Sequence, residues 1–101
     1  MVFRYLFNTS GRFVAFVSGD NIFSPSSEWL GYIVSGNEFY NKSGHFVGYI
    51  LDDDRVMKNT MELPRPPQIP RVPPIPPIRP IPPIPRLSKL PPPQPYEDVF
   101  R

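Results

Sequence analysis

Ile69, Val72, Ile75, Ile78, Ile81, Ile84, Leu87 and Leu90 recur at every third position of a stretch dominated by proline. Proline fixes φ and removes the backbone donor, so such a stretch suits neither a helix interior nor a central strand. Polyproline II remains open to it, and that helix turns once every three residues. The spacing therefore predicts a rod with one aliphatic edge. An apolar edge of this length calls for cover, so the eight aliphatics are read as docking on the chain's own sheet, a sister subunit or a foreign protein. A straight rod from 69 to 90 spans about 68 Å at roughly 3.1 Å per residue, longer than a small domain is wide. It is expected to cross onto another subunit or project into solvent.

Sixteen of the 17 prolines lie at or after Pro64, which divides the 101 residues into a β-rich part, 1–62, and a proline-rich tail, 63–101. The tail carries Arg65, Arg71, Arg79, Arg86, Lys89 and Arg101, so the positive balance comes from there. These cations are sparse and lack interleaved aromatics, which argues against a nucleic-acid footprint. With no cysteine, disulfides and thiolate metal sites are excluded. There is no secretory h-region and no run near the roughly 20 apolar residues of a spanning helix. A soluble, cytoplasmic protein that binds neither nucleic acid nor membrane is the expectation.

The β-rich part repeats itself. Phe7-Asn8-Thr9-Ser10-Gly11-Arg12-Phe13-Val14-Ala15-Phe16-Val17 matches Tyr40-Asn41-Lys42-Ser43-Gly44-His45-Phe46-Val47-Gly48-Tyr49-Ile50, and Phe23 to Ile33 is a looser copy between them. Turn residues at Asn-x-Ser-Gly, Ser18-Gly19-Asp20 and Ser35-Gly36-Asn37 tolerate positive φ between β-branched and aromatic runs. Strands are predicted near 2–8, 12–18, 21–24, 28–35, 38–41, 45–51 and 55–59. The fold class is all-β: an antiparallel meander of about seven short strands built from 16–17-residue repeats, with a polyproline II tail.

Strict alternation places Phe13, Trp29 and Phe46 on one face with Ala15, Gly31 and Gly48 and with Val17, Ile33 and Ile50. Tyr32 and Tyr49 fall on the opposite face with Val14, Leu30 and Val47. Strands apolar on both faces belong to a doubly covered sheet, and about 60 residues cannot cover both faces alone. Small residues between aromatic walls would leave a slot that takes a ligand chain or a neighbouring backbone, with Trp29, Tyr32, Tyr49, Phe13 and Phe46 as the candidate ligand-binding residues. Tyr32 and Tyr49 would suit a wet pore lining or a proline-binding surface.

The repeated Phe/Tyr-Asn-x-Ser-Gly-x-Phe-Val units, with Gly31-Tyr32-Ile33-Val34 and Gly48-Tyr49-Ile50-Leu51, resemble the four-fold beta-flower proteins, a small bacterial family. The resemblance covers roughly residues 1 to 60. It implies a homotetramer with sheets set like petals around an axis, and a central pore for an elongated ligand such as a coenzyme A-like molecule.

Catalytic signatures are missing. His45 sits where Arg12 sits in the matching repeat, and reads as an exposed strand start rather than a base. Asp52-Asp53-Asp54 lacks the alternation of a calcium loop and coincides with a hairpin turn. Ser24, Ser26 and Ser27 have no nucleophile-elbow spacing. Within the tail, Arg71-x-x-Pro74-x-x-Pro77 and Pro74-x-x-Pro77-x-Arg79 fit motifs read by aromatic-lined grooves. The expectation is a non-enzymatic homo-oligomeric binding or structural module with no metal. The alternative is an adaptor whose tail docks on a partner.

Overall fold

The structure, a computed structural model, describes residues 3–101. Among these residues there are eight strands and no helix: β1 (Arg4–Phe7), β2 (Phe13–Ser18), β3 (Asn21–Phe23), β4 (Trp29–Val34), β5 (Glu38–Asn41), β6 (Phe46–Ile50), β7 (Val56–Asn59) and β8 (Tyr96–Asp98). Each pairs antiparallel with the next, making one curled meander. Seven strands lie where repeats and turns predict them; Val2, placed in the first, lies outside the described residues. No helix among the described residues is long and apolar enough to cross a membrane.

The eighth strand changes the meaning of the proline-rich stretch. β8 pairs with β7 through Met57↔Asp98, Lys58↔Glu97 and Asn59↔Tyr96, so the chain returns to the sheet after its prolines. The division at residue 62 follows composition, whereas the sheet runs across it. Four hairpins result, β1–β2, β3–β4, β5–β6 and β7–β8, and the proline-rich stretch is the connection of the fourth. Their four turns close alike. Gly11 N donates to the Asn8 carbonyl, Ser27 N to Ser24 and Gly44 N to Asn41, each at 2.9 Å, and Glu62 N donates to Asn59 at 3.1 Å. In the first and third, the Asn side chain also accepts from the strand beyond, at Arg12 N (2.9 Å) and His45 N (3.0 Å), the local bond that makes Asn a turn former.

Register corrects the expected faces. Phe7 pairs with Phe13 but Leu6 with Ala15; Phe23 pairs with Trp29 but Ile22 with Gly31; Tyr40 pairs with Phe46 but Phe39 with Gly48. Val14, Leu30 and Val47 are therefore the extra residues of three β-bulges at corresponding positions. A bulge breaks the period of two, so the residues before it swap faces. Phe13, Trp29 and Phe46 join Phe16, Phe23, Tyr32 and Tyr40 on one aromatic face. Leu30 and Val47 join Leu6, Ala15, Val17, Ile22, Phe39, Ile50 and Val56 on the other. Leu6, Ile22, Phe39 and Val56 hold the same place in the four hairpins, one buried apolar residue from each.

The two ends of the sheet meet. Phe7 N donates to the Asp54 carbonyl at 2.8 Å, Thr9 N to Asp98 Oδ2 at 3.2 Å, and Arg4 pairs with Asp54 at 2.7 Å. The resulting body measures 36 × 36 × 19 Å, a disc with hairpin turns on its rim.

Candidate functional site: a proline-rich belt around the rim

Residues 63–95 form no strand or helix, yet they touch all four hairpin turns at intervals of nine residues, at Gln68, Pro77, Arg86 and Pro95. Gln68 N donates to the Gly44 carbonyl at 2.8 Å and Arg86 N to the Gly11 carbonyl at 2.9 Å. Pro77 and Pro95 have no N–H, and there the turn supplies the donor instead. The Ser27 hydroxyl donates to the Pro77 carbonyl, and Thr60 donates to the Pro95 carbonyl through Oγ1 at 2.8 Å and N at 3.0 Å. Gly11 and Gly44 have φ of 87° and 90°, and a side chain at either would run into the belt's carbonyl at Arg86 or Gln68. Glycine thus stands where the belt approaches closest, and a hydroxyl where it lacks a donor.

The nine-residue interval has a geometric reason. At the rise of polyproline II, the conformation that proline favours, nine residues would advance about 28 Å. A quarter of the circumference of a disc 36 Å across is also about 28 Å. The belt bends around its own disc once, which corrects the expectation of a straight rod that leaves the domain.

From Pro74 to Pro83 burial repeats every third residue: Pro74, Pro77, Pro80 and Pro83 face the sheet, Pro80 most fully, and Lys89 and Pro92 resume that phase after the exposed Arg86. The aliphatics face away: Ile69, Val72, Ile75, Ile78, Ile81, Ile84, Leu87 and Leu90 are 86–93% exposed. The three-residue register is as the spacing predicts, but the docked edge within this chain is the proline edge.

Cations anchor the belt to the aromatic face. The Arg65 guanidinium lies 3.8 Å from the Phe46 ring centroid, Arg71 lies 4.1 Å from Tyr32 and Arg86 lies 4.1 Å from Phe7. Arg65 also donates to Tyr49 Oη at 2.6 Å and to Tyr40 Oη at 3.4 Å, and pairs with Glu38 at 3.2 Å and Glu62 at 3.3 Å. The bond to Tyr40, with those to the two carboxylates, raises its pKa against desolvation. Tyr49 donates to Glu62 at 2.8 Å, and that bond raises the phenol above its usual value. Farther along, Arg86 pairs with Asp54 at 2.9 Å and Lys89 with Asp53 at 3.5 Å, which also binds Arg55 at 2.9 Å. Desolvation opposes the charge on Asp53, but Arg55 and Lys89 outweigh it and hold the carboxyl below its ordinary range.

The five aromatic candidates come together on one face, though not as walls of a slot. Ala15 is fully buried, and a side chain at Gly31 or Gly48 would strike the carbonyl of Tyr40 or Met57. Neighbouring backbone occupies that space. Tyr32 is fully buried with the Arg71 guanidinium over its ring, so it lines no wet pore. Trp29 Nε1 and Tyr32 Oη lack hydrogen-bond partners among the described residues. Tyr49 instead borders a cleft of about 380 Å³ with Asn37, Leu51, Arg55, Met57, Pro92, Pro93 and Tyr96. His45 is exposed at the start of β6, and Asp53 and Asp54 are engaged by cations in the β6–β7 turn. No group of three metal-ligating side chains occurs among the described residues.

Two signals for the belt lie in the sequence. Gln68-Ile69-Pro70-Arg71-Val72-Pro73-Pro74-Ile75-Pro76 and Pro77-Ile78-Arg79-Pro80-Ile81-Pro82-Pro83-Ile84-Pro85 are two copies of one nine-residue unit. Val56-Met57 occupies the place of Phe39-Tyr40, which marks the opening of a fourth hairpin.

No curated protein and no solved structure matches this chain. A family model, that of the 4-fold beta flower protein, matches residues 3–99, a span that includes the belt as well as the repeats. With four like hairpins closed by that belt, the chain belongs to the 4-fold beta flower protein family.

Proposed function

We propose that this protein is a non-catalytic binding module that holds a proline-rich belt in one path and offers its aliphatic edge to other protein chains. The exposure of eight aliphatics in unbroken three-residue register carries this reading. Soluble proteins rarely leave a contiguous apolar stripe uncovered unless it meets a partner. The adaptor reading accordingly takes precedence over a ligand slot. The test compares two sets of substitutions by thermal melting. Replacing Ile75, Ile78, Ile81 and Ile84 with Ser is expected to leave the melting temperature within a few degrees, whereas replacing Pro74, Pro77, Pro80 and Pro83 with Ser lowers it. Unfolding by the isoleucine set would make that edge part of the core and end this reading.

The same edge favours one second reading, self-association into a homo-oligomer, with a tetramer as the form the resemblance implies. Since one chain already supplies four hairpins, copies would join at their rims rather than share a sheet. Light scattering separates the two: a mass near 11.6 kDa supports display to other proteins, and four times that supports the tetramer. An elongated ligand such as a coenzyme A-like molecule would, in this second reading, lie in the cleft beside Tyr49.

A further inference from the structure

We propose that the belt is a preformed ligand for a polyproline-reading domain, gripped through Arg79, Ile81, Pro82, Ile84 and Pro85. The inference rests on the display reading above and names its partner class and its register.

A polyproline II helix has three edges, and a groove that reads it grips two while the third points away. In this belt the sheet has taken one edge, that of Pro74, Pro77, Pro80 and Pro83. The other two are free. One is the aliphatic edge; the other holds Pro70, Pro73, Pro76, Arg79, Pro82 and Pro85, all exposed. Adjacent residues on the two free edges form the pairs Ile81-Pro82 and Ile84-Pro85, three residues apart, two equal ridges for two neighbouring pockets. Ile81 and Ile84 are both 88% exposed.

Arg79 completes the motif. It lies on the same edge as Pro82 and Pro85, so Arg79-x-x-Pro82-x-x-Pro85 faces outward as a unit. Other belt cations are engaged from within: Arg65 by Glu38 and Glu62, Arg71 by the Tyr32 ring, Arg86 by Asp54, Lys89 by Asp53. Arg79 has no ion pair and no ring contact among the described residues. A groove floored by aromatic side chains with a carboxylate at one end, as in SH3-type domains, complements this set. The motifs that the sequence offers first, Arg71-x-x-Pro74-x-x-Pro77 and Pro74-x-x-Pro77-x-Arg79, put both prolines on the inward edge, where such a domain cannot reach them.

Residues 79–85 also lie between two rim contacts, Ser27 with Pro77 and Gly11 with Arg86. The segment is tied down on both sides of the motif, so little freedom remains to be lost on binding.

The experiment titrates three purified, ¹⁵N-labelled SH3 domains, each selective for Arg-x-x-Pro-x-x-Pro peptides, with the full-length chain. At least one is expected to show saturable shifts in its aromatic groove, with a Kd at least threefold below that for a free peptide of residues 77–88. Arg79→Glu should weaken binding tenfold or more, with Pro82→Ala as a second variant, while Lys42→Glu, a charge reversal at an exposed cation outside the belt, leaves Kd within twofold. Absence of binding by all three domains at millimolar chain would overturn the inference, including the case in which a second copy covers the edge. Loss of binding in Arg71→Glu but not in Arg79→Glu would also overturn it, because the belt would then have lifted to expose the inward register. A chain that tolerates the four outward serines yet binds no SH3 domain loses this inference and keeps the display reading.

Discussion

Ser27 donates its hydroxyl hydrogen bond to the carbonyl of Pro77, fifty residues later, where the belt has no N–H to give. Ser27 holds a positive φ of 67° in the place that Gly11 and Gly44 fill in the neighbouring hairpins. A residue in this region carries strain of order 1 kcal/mol or more unless something offsets it, and the bond to Pro77 is that offset.

Ser27 therefore yields a two-variant prediction. Ser27→Ala keeps the strain and loses the bond, so stability should fall by about 0.5–1.5 kcal/mol. Ser27→Gly relieves the strain as it loses the bond, and should fall by less. Urea unfolding of both checks the order; a Gly variant less stable than the Ala variant would refute the account.

Gly44 makes the opposite case. Ala at this position meets a positive φ and the Gln68 carbonyl together, so Gly44→Ala should cost about 1–3 kcal/mol. The loss should appear in the belt as well as the hairpin, read as faster tryptic cleavage after Arg71. Gly36→Ala shares the positive φ but meets open space, and should cost less.

Asp53 sets a pH dependence. Its folded pKa lies below the unfolded value of about 3.9, so its contribution is present above that value and is lost as pH falls through the folded pKa. Acid should therefore loosen the belt around Lys89 and Arg55, and Asp53→Asn should flatten that part of the stability profile. The measurement is melting temperature from pH 6 downwards; an unchanged acid limb would remove Asp53 from the account.

The Arg65 cluster offers a spectroscopic check. Glu62→Gln replaces the carboxylate that raises the Tyr49 phenol with a neutral, weaker acceptor, so Tyr49 should titrate closer to its ordinary value. Arg65→Gln removes a cation that lowers it, and should push the titration higher. NMR of ¹³Cζ-labelled tyrosine follows both, and shifts in the reverse directions would contradict the bonding described.

Local chemistry made much of this architecture legible in the residues alone. The Asn-x-Ser-Gly turns, the 16–17-residue repeats and the three-residue aliphatic register depend on backbone preferences and side-chain size, which act over a few positions. Seven strands, the all-β class and the family follow from them. What the residues hid were the long-range consequences of small insertions. Three bulges at Val14, Leu30 and Val47 moved Phe13, Trp29 and Phe46 to the face of Tyr32, because one extra residue reverses a period of two. Composition drew a boundary at residue 62, yet pairing across it made β8 the partner of β7. The orientation of the belt was also a tertiary decision. The spacing of Ile69 to Leu90 determined that one edge would be aliphatic. Which edge met the sheet depended on hydrogen bonds between the belt's backbone and Gly44, Ser27, Gly11 and Thr60, and the rim they define has a quarter-turn as long as nine residues of the belt.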